Sequence, residues 1–229
     1  MPVAAGAGWR VAIERHGVEQ QPVVVIDGFA PAPERFVDDA SFLAFAPRGE
    51  HYPGIRAAVP DALLRPLLDA LAPVVVEVFG PGDLAVVDAF YSLVTTQPAA
   101  LAPIQRLPHV DEVSPSRLAL LHFLSTDESS GTAFYRHRTT GWESLDAARL
   151  APYRDALAAD IAHHGLPDAA YLAGDTPLFE QVATYRGTFN RALLYRSHAL
   201  HCALIPPAMR LSDDPATGRL TVNTFLDRR

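Results

Sequence analysis

The chain has 229 residues, 49% of them hydrophobic, which is enough for a sizeable buried core. Its net charge is −7 with no basic stripe, which excludes nucleic acid as the main partner, because neutralising phosphates takes clustered cations. All nineteen basic residues are Arg, so the classes that need a Lys (P-loop nucleotide hydrolases, protein kinases, pyridoxal enzymes) are excluded, and the single cysteine, Cys202, excludes an internal disulfide and a thiolate zinc site.

The first eleven residues lack the charged and then long apolar pattern of a secretory signal. The apolar run over 22–29 (PVVVIDGF) is too short to cross a bilayer; the expectation is a cytoplasmic protein with no membrane partner. That run is β-rich and ends on Asp27-Gly28, a turn signal. Helical spacing follows over 33–46, with Phe36, Ala40 and Leu43 on one side. A longer helix follows over 60–79, closed by Gly80-Pro81-Gly82. From 83 onward short strands are expected: 85–95, then 117–125 and 132–138 as a hairpin around the polar turn 126–131. Residues 142–164 read as helix and 175–184 as a second helical piece. Strands return over 191–195, 201–205 and 219–226. One domain spanning 1–229 is expected, with a supporting strand and helices over 1–82. Its β core covers 83–229, with an insertion at about 142–186, in an α+β fold built as a β-sandwich or jelly-roll barrel.

Three short patterns carry chemistry. His109 and Asp111 are two apart, and in an extended segment such residues face the same way, setting an imidazole nitrogen beside a carboxylate oxygen. A distant His would complete the two-His, one-carboxylate triad associated with non-haem Fe(II). His201 opens an apolar strand and shares its face with Ala203 and Ile205. His198, three residues earlier in a polar stretch, is the competing candidate and reads as part of a turn. Arg219 and Thr221 form a second pair two apart, a guanidinium beside a hydroxyl, suited to gripping a carboxylate. Taken singly, each pattern also fits an ordinary surface His, strand Thr or turn Arg.

Their order along the chain resembles the Fe(II)- and 2-oxoglutarate-dependent oxygenase superfamily, and within it the prolyl-4-hydroxylase-like branch. The resembling stretches are VVVIDGFAPAPERF, QRLPHVD, LLHFLSTDESSGTAF with its Gly131-Thr132-Ala133-Phe134 exit, and NRALLYRSHALH followed by GRLTVNTFL. The loop over 206–217 and the 142–186 insertion depart from that branch and bear on the substrate. The resemblance implies a double-stranded β-helix with Fe(II) on His109, Asp111 and His201. It implies 2-oxoglutarate held through its distal carboxylate by Arg219 and Thr221, with Tyr91 as an extra donor. Dioxygen would be the second cosubstrate and ascorbate a supporting reductant. The implied reaction is hydroxylation of a peptidyl or free amino acid side chain or another small molecule.

Other polar residues have blander readings. His122 alternates with Leu118, Leu120 and Leu124 and reads as a satisfied core histidine, and Asn190 as a turn residue. Arg136, His137, Arg138 and Trp142 either line a substrate mouth or end a solvated strand. Cys202, on an apolar strand, reads as an unreactive thiol. Two other functions stay open on the same ligands: a cupin-like metal- or ligand-binding protein, which needs no Arg-x-Thr grip, and a metal-dependent hydrolase, for which no general base is evident. Oligomeric state has no signature in the sequence.

Overall fold

The computed structural model describes residues 8–229; the first seven residues of the expected domain lie outside it. In chain order the elements are β1 (Arg10–His16), β2 (Gln21–Asp27), α1 (Glu34–Ser41), β3 (Gly54–Ala58), α2 (Asp61–Phe79) and β4 (Leu84–Val94). Then follow β5 (Arg117–Phe123), β6 (Gly131–His137), α3 (Ala147–His164), β7 (Phe179–Arg186), β8 (Arg191–Arg196), β9 (His201–Leu204) and β10 (Leu220–Arg228). The strands form a seven-stranded sheet, ordered β1-β2-β8-β5-β10-β4-β3, and a three-stranded sheet, β7-β6-β9, with antiparallel pairing throughout.

The continuous apolar runs are explained by burial on both faces of the large sheet. With side chains alternating along a strand, Val24 and Ile26 of β2, Leu118 and Leu120 of β5, and Ala192 and Leu194 of β8 meet the helices. Their neighbours Val23, Val25, Ala119, Leu121, Leu193 and Tyr195 face the small sheet, where they pack with Phe134 and Tyr185. The helical cover is chiefly α2, whose buried Leu64, Leu67, Leu68, Leu71, Val74 and Val75 recur at helical spacing. Gly80 ends it at φ 95°, a left-handed conformation that favours glycine. No described helix is long and apolar enough to cross a membrane.

Two expectations change here. Strands β5 and β6 are not a hairpin: β5 pairs with β8 and β10, whereas β6 pairs with β7 and β9. The polar turn between them carries the chain from one sheet to the other. Both strands are apolar on both sides and so can each sit inside a sandwich, a preference local turn chemistry does not reveal. The segment expected as a second helix over 175–184 is largely strand β7, paired to β6 from Gly131↔Arg186 to His137↔Phe179. The inserted segment therefore ends before Phe179, and α3 is its only α-helix, capped by the Asp146 carboxylate, which accepts from the Arg149 amide at 2.8 Å. Strands β1 and β3 were not expected from the sequence.

Candidate active site

The three-residue group assembles from two remote segments. A backbone bridge pairs His109 with His201: each amide donates to the other's carbonyl at 2.9 Å, which brings their rings to 4.6 Å between centroids. The Asp111 amide donates to the Ser197 carbonyl at 2.9 Å, tying the acid to the same turn. One carboxylate oxygen of Asp111 faces His109 Nε2 at 3.7 Å and the other faces His201 Nε2 at 3.5 Å. Ligand atoms from the three side chains all lie within 4.8 Å of one another.

Protonation states favour a metal. His201 Nδ1 lies 2.8 Å from the Ala199 carbonyl, which can only accept, so the ring donates from Nδ1 and keeps its lone pair on Nε2, toward Asp111. Burial lowers the His201 pKa to about 4, against the opposing charge of Asp111, so the ring is neutral near pH 7. Burial pushes the Asp111 carboxyl up, but His201, His109 and Arg56 outweigh it and hold it below its ordinary value. Two imidazoles and a carboxylate make a donor set for a divalent first-row metal. A metal bonded at ~2.1 Å to each ligand needs donors roughly 3–4 Å apart, the range of the two Asp111 separations.

The group opens onto a cavity of about 560 Å³, also lined by Arg219 and Thr221. Arg219 is 3% exposed; its Nε donates to Ser130 Oγ at 3.1 Å and its Nη2 to the Gly131 carbonyl at 2.9 Å. Among the described residues no carboxylate pairs with it. A guanidinium stays charged in proteins, so burying one beside neutral partners alone is costly unless an anion joins it. Thr221, also buried, holds its hydroxyl 2.8 Å from Asn223 Oδ1.

Tyr91 does not join this site. It pairs with Val222 of β10, and that register turns both residues toward the helices, while Arg219 and Thr221 turn the other way. Its hydroxyl donates to Asp39 Oδ2 at 2.9 Å. The tyrosine the sequence did not single out is Tyr195, which lines the cavity with its ring 4.9 Å from that of His201. Burial pushes its phenol up, with Asp111 acting the same way and Arg219 opposing, so it lies within the fields of both groups. Tyr52 and Thr132 also line the cavity with hydroxyls buried and unpartnered among the described residues, and Arg56 lines it too. In the sequence Thr132 stood out only as part of the Gly131-Thr132-Ala133-Phe134 exit, and nothing local marks the other three.

The remaining candidates sort plainly. His198 does not line the cavity. His122 is 2% exposed with Nε2 3.0 Å from Asn190 Oδ1, a core histidine, and Asn190 takes a turn conformation at φ 60°. Arg136 pairs with Glu143, His137 with Asp160 and Arg138 with Asp175, all away from the cavity. Cys202 borders the cavity, but burial pushes its thiol up to about 12, which leaves no nucleophile.

Comparison with solved structures finds the non-heme alpha ketoglutarate dependent epimerase SnoN from nogalamycin biosynthesis, with a TM-score of 0.53 at 12% identity, covering 92% of this chain and 79% of SnoN. HygX from Streptomyces hygroscopicus, with nickel and 2-oxoglutarate bound, aligns with a TM-score of 0.49 at 12% identity over 92% of this chain and 84% of HygX. An N-substituted L-amino acid dioxygenase from Burkholderia ambifaria AMMD aligns at 0.45 and 14% identity, over 96% and 94% of the two chains. At such identity the likeness to SnoN is one of fold, and the two lower scores add nothing to it. No curated protein matches the sequence. The profile of DUF6445, a family of unknown function, matches residues 7–226, nearly the whole length, and the chain belongs to that family.

Proposed function

We propose that this chain is an Fe(II)- and 2-oxoglutarate-dependent dioxygenase, with the metal on His109, Asp111 and His201. The observation that carries the proposal is Arg219: a buried guanidinium without a carboxylate partner, lining the same cavity as a two-His, one-carboxylate group. Neither a cupin-like metal protein nor a metal-dependent hydrolase has need of such a cation. We read the two sheets as a double-stranded β-helix. The order β4-β10-β5-β8 in one sheet, and the His109 bridge, β9, β6 and β7 in the other, supports this reading, because the chain alternates between sheets as such a barrel requires.

In this proposal the residues divide the work. His201, oriented by Ala199, and His109 offer nitrogen lone pairs, and Asp111 supplies the negative charge. Arg219 grips the distal carboxylate of 2-oxoglutarate through its Nη atoms, with the Thr221 and Thr132 hydroxyls beside it. Tyr195, which lines the cavity beside His201, would donate to the body of the cosubstrate. The apolar walls exclude bulk water, which strengthens each charged contact. Bound there, metal and cosubstrate supply the oxidising power, with 2-oxoglutarate decarboxylated to succinate as dioxygen is consumed. The substrate we propose is a peptidyl or free amino acid side chain or another small molecule, oxidised by hydroxylation in the manner of the prolyl-4-hydroxylase-like branch. A reducing, cytoplasmic setting fits the lone buried thiol.

The test is succinate release from protein supplied with Fe(II), 2-oxoglutarate, ascorbate and air. Slow metal-dependent succinate formation, absent in Asp111→Ala, is the expected result. Its absence together with a failure of 2-oxoglutarate to bind would overturn the proposal.

A further inference from the structure

The cavity is lined by a further guanidinium, Arg56, that the proposed reaction leaves unused. Arg56, on the edge strand β3, stacks its Cζ 3.8 Å from the centroid of the Tyr52 ring and donates from Nε to Ser92 Oγ at 3.2 Å. Those contacts fix the plane of the fork, and among the described residues no carboxylate pairs with it. It lines the cavity from β3, where it pairs with Ser92 of β4, which in turn pairs with Thr221 of β10. The other charged groups lining the cavity are His51, His109, Asp88, Arg117 and Arg154; Arg117 is already paired with Asp227, and Asp88 acts on Arg56 only from beyond ion-pair distance.

Resting on the cosubstrate reading above, and with Arg154 exposed on α3, the count of anions then leaves Arg56 over. In that reading 2-oxoglutarate has two carboxylates, one at the metal and one at Arg219. We propose that Arg56 binds a carboxylate of the primary substrate, so the enzyme acts on a small carboxylic acid and not on a neutral molecule. A planar fork fixed by stacking suits bidentate contact with a carboxylate. Val87, Ile104, Val110 and Phe225 line the same cavity and supply apolar surface for the rest of the acid. The recognised carboxylate would share one cavity with the metal group, so recognition and oxidation fall on one small molecule.

The test uses Ni(II)-loaded protein saturated with 2-oxoglutarate and titrates straight-chain carboxylates from butanoate to decanoate against their matched primary amides, by calorimetry. At least one acid is expected to bind about tenfold or more tightly than its amide, as a charge-assisted contact implies. Arg56→Gln is expected to abolish that preference and Arg56→Lys to restore part of it, while the 2-oxoglutarate midpoint moves less than about threefold. Sulfate and phosphate run alongside distinguish carboxylate recognition from general anion binding; tighter binding of either at Arg56 would overturn the assignment to a carboxylic acid. Equal binding of every acid and amide, or an Arg56→Gln variant that keeps the preference, would overturn the proposal. So would a loss of 2-oxoglutarate affinity in Arg56→Gln as large as that in Arg219→Ala, because Arg56 would then belong to the cosubstrate. Failure of the cosubstrate reading shows separately: 2-oxoglutarate would not bind the parent protein, while an acid preference dependent on Arg56 persisted.

Discussion

Arg219 and His201 share a physical situation: each is a polar group taken out of water and given only part of the bonding it needs. For Arg219 the missing part is an anion. Arg219→Ala should weaken 2-oxoglutarate binding by roughly tens to thousands of fold, the effect of about 2–5 kcal/mol for a buried charged contact, while sparing metal binding. Calorimetric titration of both ligands checks this, and an unchanged 2-oxoglutarate affinity would refute the role. For His201 the Ala199 carbonyl has already chosen the tautomer, so His201→Ala should lose stoichiometric Fe(II). His198→Ala should keep it, because that side chain does not reach the cavity. Iron lost only in the His198 variant would mean that the wrong histidine has been assigned. His122 supplies a pH dependence away from the site. Burial lowers its pKa to about 4, so the unfolded chain takes up a proton below pH 6.5 that the folded one refuses. Stability from this residue is full above pH 6.5 and falls as pH drops toward 4. Between pH 7 and pH 5 the loss should be about 2 kcal/mol, and His122→Phe should flatten that part of the urea-denaturation profile. Equal slopes in parent and variant would show that His122 is not held neutral.

At the level of elements, the site depends on where strands cross between sheets. Gly131 begins β6, offers its carbonyl to Arg219, and leaves no room for a side chain: a Cβ there would collide with the Tyr185 carbonyl of β7. Gly131→Ala should therefore push β6 and β7 apart and displace the acceptor under Arg219. The expected result is a lower denaturation midpoint together with weaker 2-oxoglutarate binding; retention of both would mean that the strand edge yields freely. The same crossings explain what the sequence made legible. His109, Asp111, His201, Arg219 and Thr221 were readable because each pair sits two apart and the pairs fall in a telling order. Tyr91 was misplaced because its face depends on register with β10, which pairs it with Val222 on the helix side. Arg56, Tyr52, Tyr195 and Thr132 converge from β3, the segment before it, β8 and β6, and no local spacing links them. Strand β3 itself escaped notice behind Pro53 and Gly54, and β7 because its polar residues mimic a helical pattern.

Across the whole molecule, three layers divide structure from chemistry. The helices and one face of the large sheet make the main core, a second core joins the two sheets, and the cavity opens toward the metal group from residues of both sheets. Substitutions in the helical layer should then alter stability without altering ligand affinity. Leu71→Ala, fully buried on α2, should cost roughly 2–5 kcal/mol of folding free energy and leave the metal and 2-oxoglutarate affinities of the folded protein unchanged. Urea denaturation and calorimetry together check that separation. The central claim is that one cavity holds a metal on His109, Asp111 and His201 and a dicarboxylate reaching from it to Arg219. The most direct measurement is anaerobic titration of 2-oxoglutarate into the protein with and without one equivalent of Fe(II). The account predicts binding at one site per chain that is strong only with the metal present and is lost in both Asp111→Ala and Arg219→Ala. Binding indifferent to the metal, or retained in both variants, would contradict it.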